Sequence, residues 1–143
     1  MIILPALPSD YREITDLWQA SVKATHHFLP IDFTEKWKDQ VETVFLPMVE
    51  LYCAKNEEGK IVGFIGIAEQ KIEMLFLDPN TRGKGIGKQL TEFAIQNLQA
   101  NAVDVNEQNE QAVGFYLKMG FKQIGRSEKD AQGNDYPILH LSL

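Results

Sequence analysis

Length, composition and charge exclude several classes of protein before any motif is considered. The 143 residues suit one hydrophobic core, so we expect a single domain over residues 1–143. A formal charge of −6 argues against nucleic-acid or anionic-membrane binding, since either partner needs a continuous basic face. Residues 61–68, the longest apolar run, are too few to cross a bilayer, and the N-terminus has no signal-peptide pattern. We therefore expect a cytoplasmic protein.

Cysteine and histidine content argues against a metal site. Cys53 is the only cysteine, so an internal disulfide or a multi-cysteine site is impossible, and its apolar neighbours predict a packed thiol. The three histidines have no paired ligand spacing. No metal is expected.

The first 47 residues predict a strand followed by two helices. Residues 1–7 form the predicted strand, and Asp10 with Glu13 has the spacing of a capping box at the start of the first helix. The second helix is predicted from after Asp32 to about Leu46. Its expected apolar side consists of Phe33, Trp37, Val41, Val44 and Phe45.

Residues 51–77 predict three antiparallel strands joined by tight turns. Strands at 51–55 and 61–69 are separated by a polar turn in which Gly59 supplies a positive φ angle. A second tight turn near residue 69 leads into a strand at 71–77. The pattern predicts a meander.

The segment after residue 77 predicts an anion site. A proline flanked by Asp and Asn ends the strand, and three glycines then allow a sharp turn into a helical pattern. The first amides of a helix point outward unpaired and its dipole adds positive charge, so phosphates bind there. The turn consists of Arg82, Gly83, Lys84, Gly85, Ile86, Gly87 and Lys88.

This turn matches neither of two common phosphate-binding sequence motifs. A dinucleotide fingerprint requires glycine where Lys88 stands. A nucleotide P-loop requires glycine where Arg82 stands and Ser or Thr where Gln89 stands. The pattern that remains is Arg-x-x-Gly-x-Gly.

Residues 102–143 complete a mixed sheet. A short strand at 102–105 is expected to run parallel to the strand at 71–77, because a helix crosses between them. A last helix at 108–118, closed by Gly120, precedes two further strands at 121–127 and 137–143. We predict an α/β fold with a mixed, mostly antiparallel central sheet of six to seven strands and helices on both faces.

Two motifs in this order resemble the GCN5-related N-acetyltransferases (GNAT). The first is the Arg-x-x-Gly-x-Gly turn. The second is Asn-x-x-Ala-x-x-hydrophobic-Tyr-x-x-x-Gly-Phe after a short strand, and it is matched at Asn109, Ala112, Phe115, Tyr116, Gly120 and Phe121. A Ser-Val-x-Ala-Thr-His run at residues 21–26 resembles the small stand-alone bacterial members. The resemblance implies the acyl-CoA N-acyltransferase fold.

The resemblance also implies acetyl-CoA as co-substrate. Its pyrophosphate would bind the glycine turn, and its pantetheine arm would take backbone hydrogen bonds from the strand at 71–77. An N-cap role for Asn109 stays open beside a role in binding. The predicted binding residues are Leu75, Phe76, Leu77, Arg82, Gly83, Lys84, Gly85, Ile86, Gly87, Lys88, Asn106, Asn109, Ala112 and Tyr116.

For the chemistry, the resemblance implies that Tyr116 protonates the departing thiolate, because the family uses a tyrosine at the matching position. Simple aromatic packing of Phe115 and Tyr116 is the alternative. The general base stays open among Asp104, Glu73 and His26, which we rank equally. Histidine titrates near neutrality, which makes His27 a further candidate.

The implied reaction is acetyl transfer to a primary amine of a small molecule, or of a protein lysine or N-terminus, by direct attack in a ternary complex. Acidic residues near the expected cleft, Glu69, Glu73, Asp104 and Glu107, would suit a cationic acceptor. The helical region after residue 32 is expected to form one wall of the acceptor site. A non-catalytic sensor or interaction protein that binds CoA is the alternative, and transfer of a longer acyl group stays open. We expect a monomer or a homodimer, with the apolar C-terminal strand as a candidate pairing edge.

Overall fold

The computed structural model describes residues 1–81 and 83–143. These residues form a seven-stranded sheet, in the spatial order β1-β2-β3-β4-β5-β7-β6, and four α-helices. The strands are β1 Ile2–Pro5, β2 Glu50–Lys55, β3 Ile61–Ala68, β4 Lys71–Leu77, β5 Ala102–Asn106, β6 Lys122–Ser127 and β7 Ile138–Ser142. The helices are α1 Tyr11–Thr25, α2 Phe33–Gln40, α3 Ile86–Asn97 and α4 Glu110–Lys118.

Strand pairing confirms the predicted fold class. Every pairing is antiparallel except that of β4 with β5, which is parallel as the helical crossover requires. The meander of β2, β3 and β4 is also confirmed, with Gly59 at φ 79° in its first turn.

Two apolar clusters cover the two faces of the sheet. One includes Leu90 and Ala94 of α3 and Tyr116 of α4, and the other includes Ile14 and Trp18 of α1. Strand β3 lies between them and is buried along nearly its whole length. The structure therefore confirms helices on both faces, and Cys53 is fully buried in the α1 cluster as expected.

A β-bulge in β4 interrupts the middle of the sheet. Gly66 pairs with Met74 and Ile67 pairs with Ile72, so Glu73 is an extra residue in β4. The pairing of β4 with β5 stops at the same place, after Ile72. Beyond the bulge the two strands separate and leave a wedge between them.

Helix α3 approaches the sheet closely beside this wedge. A Cβ atom added to Gly63 of β3 would lie 2.9 Å from Leu77 and 3.1 Å from both Ile86 and Leu90, so a larger residue would push these side chains aside. The Asp78 carboxylate accepts from Asn80 N–H and pairs with Lys60, and these contacts lower its pKa despite burial. The end of β4 is thereby tied to the start of β3.

Three local predictions were wrong. Asp10 and Glu13 form no capping box, because the Asp10 carboxylate accepts from Leu7 N–H and the Glu13 carboxylate accepts from Ile61 N–H on β3. Glu13 thus ties α1 to the sheet. The second helix does not continue regularly to Leu46: it becomes a π-helical turn over Val41–Phe45, which leaves Val44 46% exposed.

The third concerns the C-terminal strand. It was expected to be a pairing edge, but β7 is bonded on both sides, to β5 and to β6. The free edges among the described strands belong to β1 and β6.

Candidate active site

The wedge between β4 and β5 opens into a cavity of about 410 Å³, here called the wedge cleft. Its walls come from β4, the glycine turn, the first turn of α3, β5 and α4. Since neither strand has a partner across this gap, backbone groups are available to a ligand along one side of β4.

The ladder between β3 and β4 decides which backbone groups face the wedge cleft. Asp78 N–H donates to Val62 C=O, 2.9 Å away on β3. In an antiparallel ladder alternate residues direct both backbone groups to the same neighbour, so Phe76 also faces β3. The N–H and C=O groups of Leu75 and Leu77 therefore point into the wedge cleft.

The glycine turn opens α3 as an anion-binding geometry. Gly83 and Gly85 have φ angles of 78° and 77°, and a Cβ atom at either would meet nothing within 4 Å. Gly85 caps the helix, whose first intrahelical bond runs from Gln89 N–H to Gly85 C=O at 3.0 Å. The amides of residues 86–88 consequently have no partner within the helix and point outward at its positive end.

Tyr116 lies on α4 and lines the wedge cleft from the side of the apolar cluster. Its ring is buried and packs edge-on against Phe115 and Phe121, at centroid distances of 5.1 and 5.6 Å. Burial raises the pKa of the phenol. The hydroxyl therefore keeps its proton at physiological pH. A role in aromatic packing and a role as proton donor both fit this residue.

His26 follows the last residue of α1 and is held by hydrogen bonds on both ring nitrogens. Thr25 Oγ1 donates its one proton to Ser21 C=O at 2.8 Å, so it accepts from His26 Nδ1, 2.7 Å away. This assigns the ring proton to Nδ1 and the lone pair to Nε2, which lies 3.4 Å from Asn109 Nδ2. Asn109 Oδ1 accepts from Ala112 N–H and caps α4, which fixes the orientation of its amide.

Asp104 belongs to a hydrogen-bonded chain across four strands. Its carboxylate pairs with Lys71 on β4 and accepts from His140 on β7, whose Nε2 lies 2.7 Å from Ser127 Oγ on β6. Burial acts to raise the pKa of Asp104, but the hydrogen bonds and charges of Lys71 and His140 together lower it. Asp104 is thus already engaged and favours its ionised form.

A second cavity, of about 590 Å³, lies on the α1 side of the sheet and is here called the aromatic pocket. It is formed by α1, the segment from residue 28 to 49, the β4 bulge and the loop of residues 128–137. The two cavities share one wall, consisting of His26, Glu73, Met74, Phe76 and Asn106.

Most predicted site residues meet at these cavities. All four candidate acid–base residues line the wedge cleft, and so do the predicted binding residues except Lys84, which does not line it, and Arg82, which lies outside the described residues. His27 is exposed and lines neither cavity. Of the other expected acidic groups, Glu69 lies in the exposed β3–β4 turn and Glu107 is paired with Arg126 at 2.7 Å.

Sequence reasoning missed the residues that face the acceptor side. Phe28 and Tyr136, 5.8 Å apart between ring centroids, join the loop after α1 to the loop before β7 across the aromatic pocket. Tyr136 is the one aromatic residue in an otherwise polar loop, and that was the available signal.

Within residues 1–81 and 83–143, no group of three His, Cys, Asp or Glu side chains could hold a metal ion. No described helix is long and apolar enough to cross a membrane.

Comparison with known proteins identifies the family. The family model described as the acetyltransferase (GNAT) domain matches residues 19–136. The chain belongs to the GNAT acetyltransferase family. This membership confirms the enzyme class expected from the two motifs, an acetyl-CoA-dependent N-acetyltransferase.

Two GNAT relatives are similar over nearly the whole chain. The peptidyl-lysine N-acetyltransferase YjaB of Escherichia coli K12 is 45% identical over 130 residues, which are 91% of this chain and 88% of YjaB. YiaC of the same organism, also named a peptidyl-lysine N-acetyltransferase, is 29% identical over 137 residues, covering 90% and 88%.

Solved structures agree with this GNAT assignment. The solution structure of apo-form YjaB matches with a TM-score of 0.88 at 42% identity, covering 99% of this chain and 97% of that one. A PaiA N-acetyltransferase from Thermoplasma acidophilum, crystallised with coenzyme A, shares the fold with a TM-score of 0.75 at 21% identity, covering 99% and 98%.

Proposed function

We propose that this GNAT enzyme transfers the acetyl group of acetyl-CoA to the ε-amine of a lysine in a protein or peptide, by direct attack in a ternary complex. The similarity to YjaB and YiaC, both named for action on peptidyl-lysine, supports the lysine acceptor. The observation that carries direct attack is the wall shared by the wedge cleft and the aromatic pocket. Two substrates bound in these cavities would meet at His26 and Glu73.

The described residues fit acetyl-CoA in the wedge cleft. The glycine turn leaves open space where Gly83 and Gly85 lack Cβ atoms, and the outward amides of residues 86–88 would hold a pyrophosphate. The backbone groups of Leu75 and Leu77 would hold the amides of the pantetheine arm, as an added strand does. Acetyl-CoA, when bound, supplies an activated acetyl thioester.

Tyr116 is proposed as the acid of this reaction. Its buried phenol keeps its proton in the folded protein, because burial raises its pKa. The rings of Phe115 and Phe121 hold its position. A neutral O–H that donates a hydrogen bond in a water-poor site stabilises negative charge more strongly than one in solution.

His26 is proposed as the base among the three candidates. Its Nε2 carries the lone pair at the shared wall, where Asn109 Nδ2 lies 3.4 Å away, and Thr25 with Ser21 fixes that tautomer. Asp104 is occupied by Lys71 and His140, and its lowered pKa makes it a poor proton acceptor at neutral pH. Glu73, exposed at the bulge, is better placed to attract the cationic amine.

Thiol release from acetyl-CoA in the presence of lysine peptides tests the proposal, with mass spectrometry locating the added acetyl group. We expect release that depends on the peptide and a 42 Da increase on the lysine. Calorimetric titration on the same sample measures acetyl-CoA binding separately. Binding without release for any peptide or small amine would favour the non-catalytic sensor instead, and absence of binding would contradict the role of the glycine turn.

A further inference from the structure

The aromatic pocket is larger than the side chain of a lysine requires. Its volume of about 590 Å³ exceeds that of the wedge cleft, about 410 Å³, and lies in the range of sites for whole small molecules. The lysine itself would occupy only the end at the shared wall, where its amine meets His26. Most of the pocket is then left for another part of the acceptor.

Much of the remaining wall is aromatic and partly exposed to the cavity. Six half-buried rings contribute to it, those of Phe28, Phe33, Trp37, Phe45, Phe76 and Tyr136. Phe33, Trp37 and Phe45 form a row with centroid spacings of 6.4 and 6.5 Å. The rings expose apolar surface that a ligand side chain would remove from water.

The charge of the aromatic pocket favours a cationic acceptor. Its described lining includes the carboxylates of Glu73 and Asp130 and contains neither lysine nor arginine. The chain as a whole carries a formal charge of −6. Acidic groups beside aromatic walls complement a segment that combines an amine with an apolar side chain.

The surface beside the pocket extends this apolar character. Ile31, in the loop between α1 and α2, is 98% exposed, and Met48 at the pocket rim is 70% exposed. Apolar side chains outside the cavity would not contact a small amine bound inside it. They suit a longer acceptor that continues past the pocket.

We propose that the aromatic pocket binds an apolar, preferably aromatic, side chain two residues from the acceptor lysine in an extended peptide segment. This inference rests on the proposed lysine acetylation and adds a sequence preference to it. In an extended segment successive side chains point to opposite faces, so the side chains two residues before and after the lysine lie on its own face, about 7 Å away. One peptide therefore reaches both the shared wall and the aromatic walls.

Capped peptides that differ only at the positions two residues from one lysine test the preference. The set has Phe, Ala or Asp at the second position before and after the lysine, together with Nα-acetyl-lysine amide and phenethylamine. We expect kcat/KM for the Phe peptide to exceed that for the Ala peptide by about tenfold or more, the size expected for burying one aromatic ring. The Asp peptide should be the poorest of the three.

Variants of the pocket locate the preference. Tyr136→Ala and Trp37→Ala should reduce the Phe-to-Ala ratio to about twofold or less. Tyr52→Ala is the matched control, because its half-buried ring packs on Phe93 at 4.9 Å outside both cavities, and it should keep the wild-type ratio. Acetyl-CoA affinity checks that each variant is folded, and Tyr136→Ala, in a loop, decides the matter if Trp37→Ala fails this check.

The outcomes separate this inference from the proposed function. Equal rates for the Phe and Ala peptides would overturn the subsite while leaving lysine acetylation intact. Phenethylamine as a better substrate than every peptide would assign the pocket to small aromatic amines and overturn the peptide proposal. Failure to acetylate any of them, with acetyl-CoA bound, would contradict both proposals.

Discussion

At the scale of single residues, Tyr116 and His26 line the wedge cleft from opposite sides of the sheet. Tyr116 belongs to the cluster beneath α3 and α4, whereas His26 lies at the end of α1 and contacts Asn109 across the wedge cleft. The proposed acid and the proposed base are therefore held by different layers of the fold. Each can be changed without removing the other.

Tyr116→Phe should lower kcat by about 100-fold, because it removes a proton donor and keeps the packed ring. The dissociation constant for acetyl-CoA should stay within about twofold of wild type. Steady-state thiol release and calorimetry measure the two quantities. Tyr52→Phe, the same change in a ring outside both cavities, serves as control, and a large loss of acetyl-CoA binding in Tyr116→Phe would count against the assigned role.

His26→Gln should lower kcat and remove the acidic limb from the pH profile of kcat/KM, because glutamine keeps a polar side chain but does not titrate in this range. Among the described lining residues of the wedge cleft, the other titratable groups are Glu73, Lys88, Asp104 and Tyr116. The profile should be measured with a fixed lysine peptide from about pH 5.5 to 9. An unchanged acidic limb would transfer the base role to Glu73.

At the scale of elements, the glycine turn and the bulge in β4 define the wedge cleft from its two ends. The first sets the position of the helix amides, and the second releases β4 from β5. Only the first of these has a sequence signature.

Gly85→Asp should abolish measurable acetyl-CoA binding, because it adds a carboxylate where the pyrophosphate would approach the helix amides. Gly59→Asp is a closely matched control. Gly59 has φ 79° against 77° for Gly85, and an added Cβ meets nothing within 4 Å at either position. Both changes should cost about 1 kcal/mol of stability, but only Gly85→Asp should lose binding by calorimetry. Wild-type affinity in Gly85→Asp would place the pyrophosphate elsewhere.

The elements also show where prediction from sequence ends. The positions of glycine and proline, together with the apolar periodicity, were sufficient to predict the strand–turn–helix unit and the parallel strand after it. The bulge at Glu73 was not predictable, because it depends on which residues of β3 pair with β4. The bulge also reverses the alternation of side chains after it. In a regular strand Ile72 and Met74 would share a face, but here Ile72 packs beneath α3 and Met74 packs beneath α1.

The helical wall and the N-terminal cap show the same limit. A π-helical turn has the same apolar spacing as the end of an ordinary helix, so nothing indicated that Val44 would be exposed. Asp10 and Glu13 have the spacing of a capping box, but the Glu13 carboxylate accepts instead from the Ile61 N–H, 48 residues away in sequence. The Tyr136 side of the aromatic pocket was missed because a long loop brings it there.

At the scale of the whole molecule, the chain of Lys71, Asp104, His140 and Ser127 ties four strands together at one face of the sheet. Lys71 and Asp104 bond across β4 and β5 at the place where these strands begin to separate. This series of hydrogen-bonded side chains therefore closes the narrow end of the wedge between β4 and β5.

Asp104→Asn should lower stability in a pH-dependent manner. The pKa of Asp104 is lower in the folded than in the unfolded chain, so its stabilisation is fully present above the unfolded value, about 3.9, and is lost as the pH falls through the folded value. Urea unfolding at several pH values should show a gap between wild type and variant that is widest near neutral pH and shrinks in acid. Glu107→Gln, which removes a more exposed ion pair with Arg126, should give a smaller gap. A gap independent of pH would contradict the linkage.

The position of β7 between β5 and β6 has a consequence for biosynthesis. Because β7 follows both neighbours in sequence, neither can complete its pairing until residues 138–142 have left the ribosome. Leu139 and Leu141 of β7 share a buried cluster with Tyr116, so the apolar support of that ring is also incomplete in the nascent chain. Until then, the open edges of β5 and β6 are templates for wrong pairing with neighbouring chains. We therefore expect catalytic competence only after β7 has emerged, and a chain stalled before residue 138 would expose aggregation-prone edges without acetylating its surroundings.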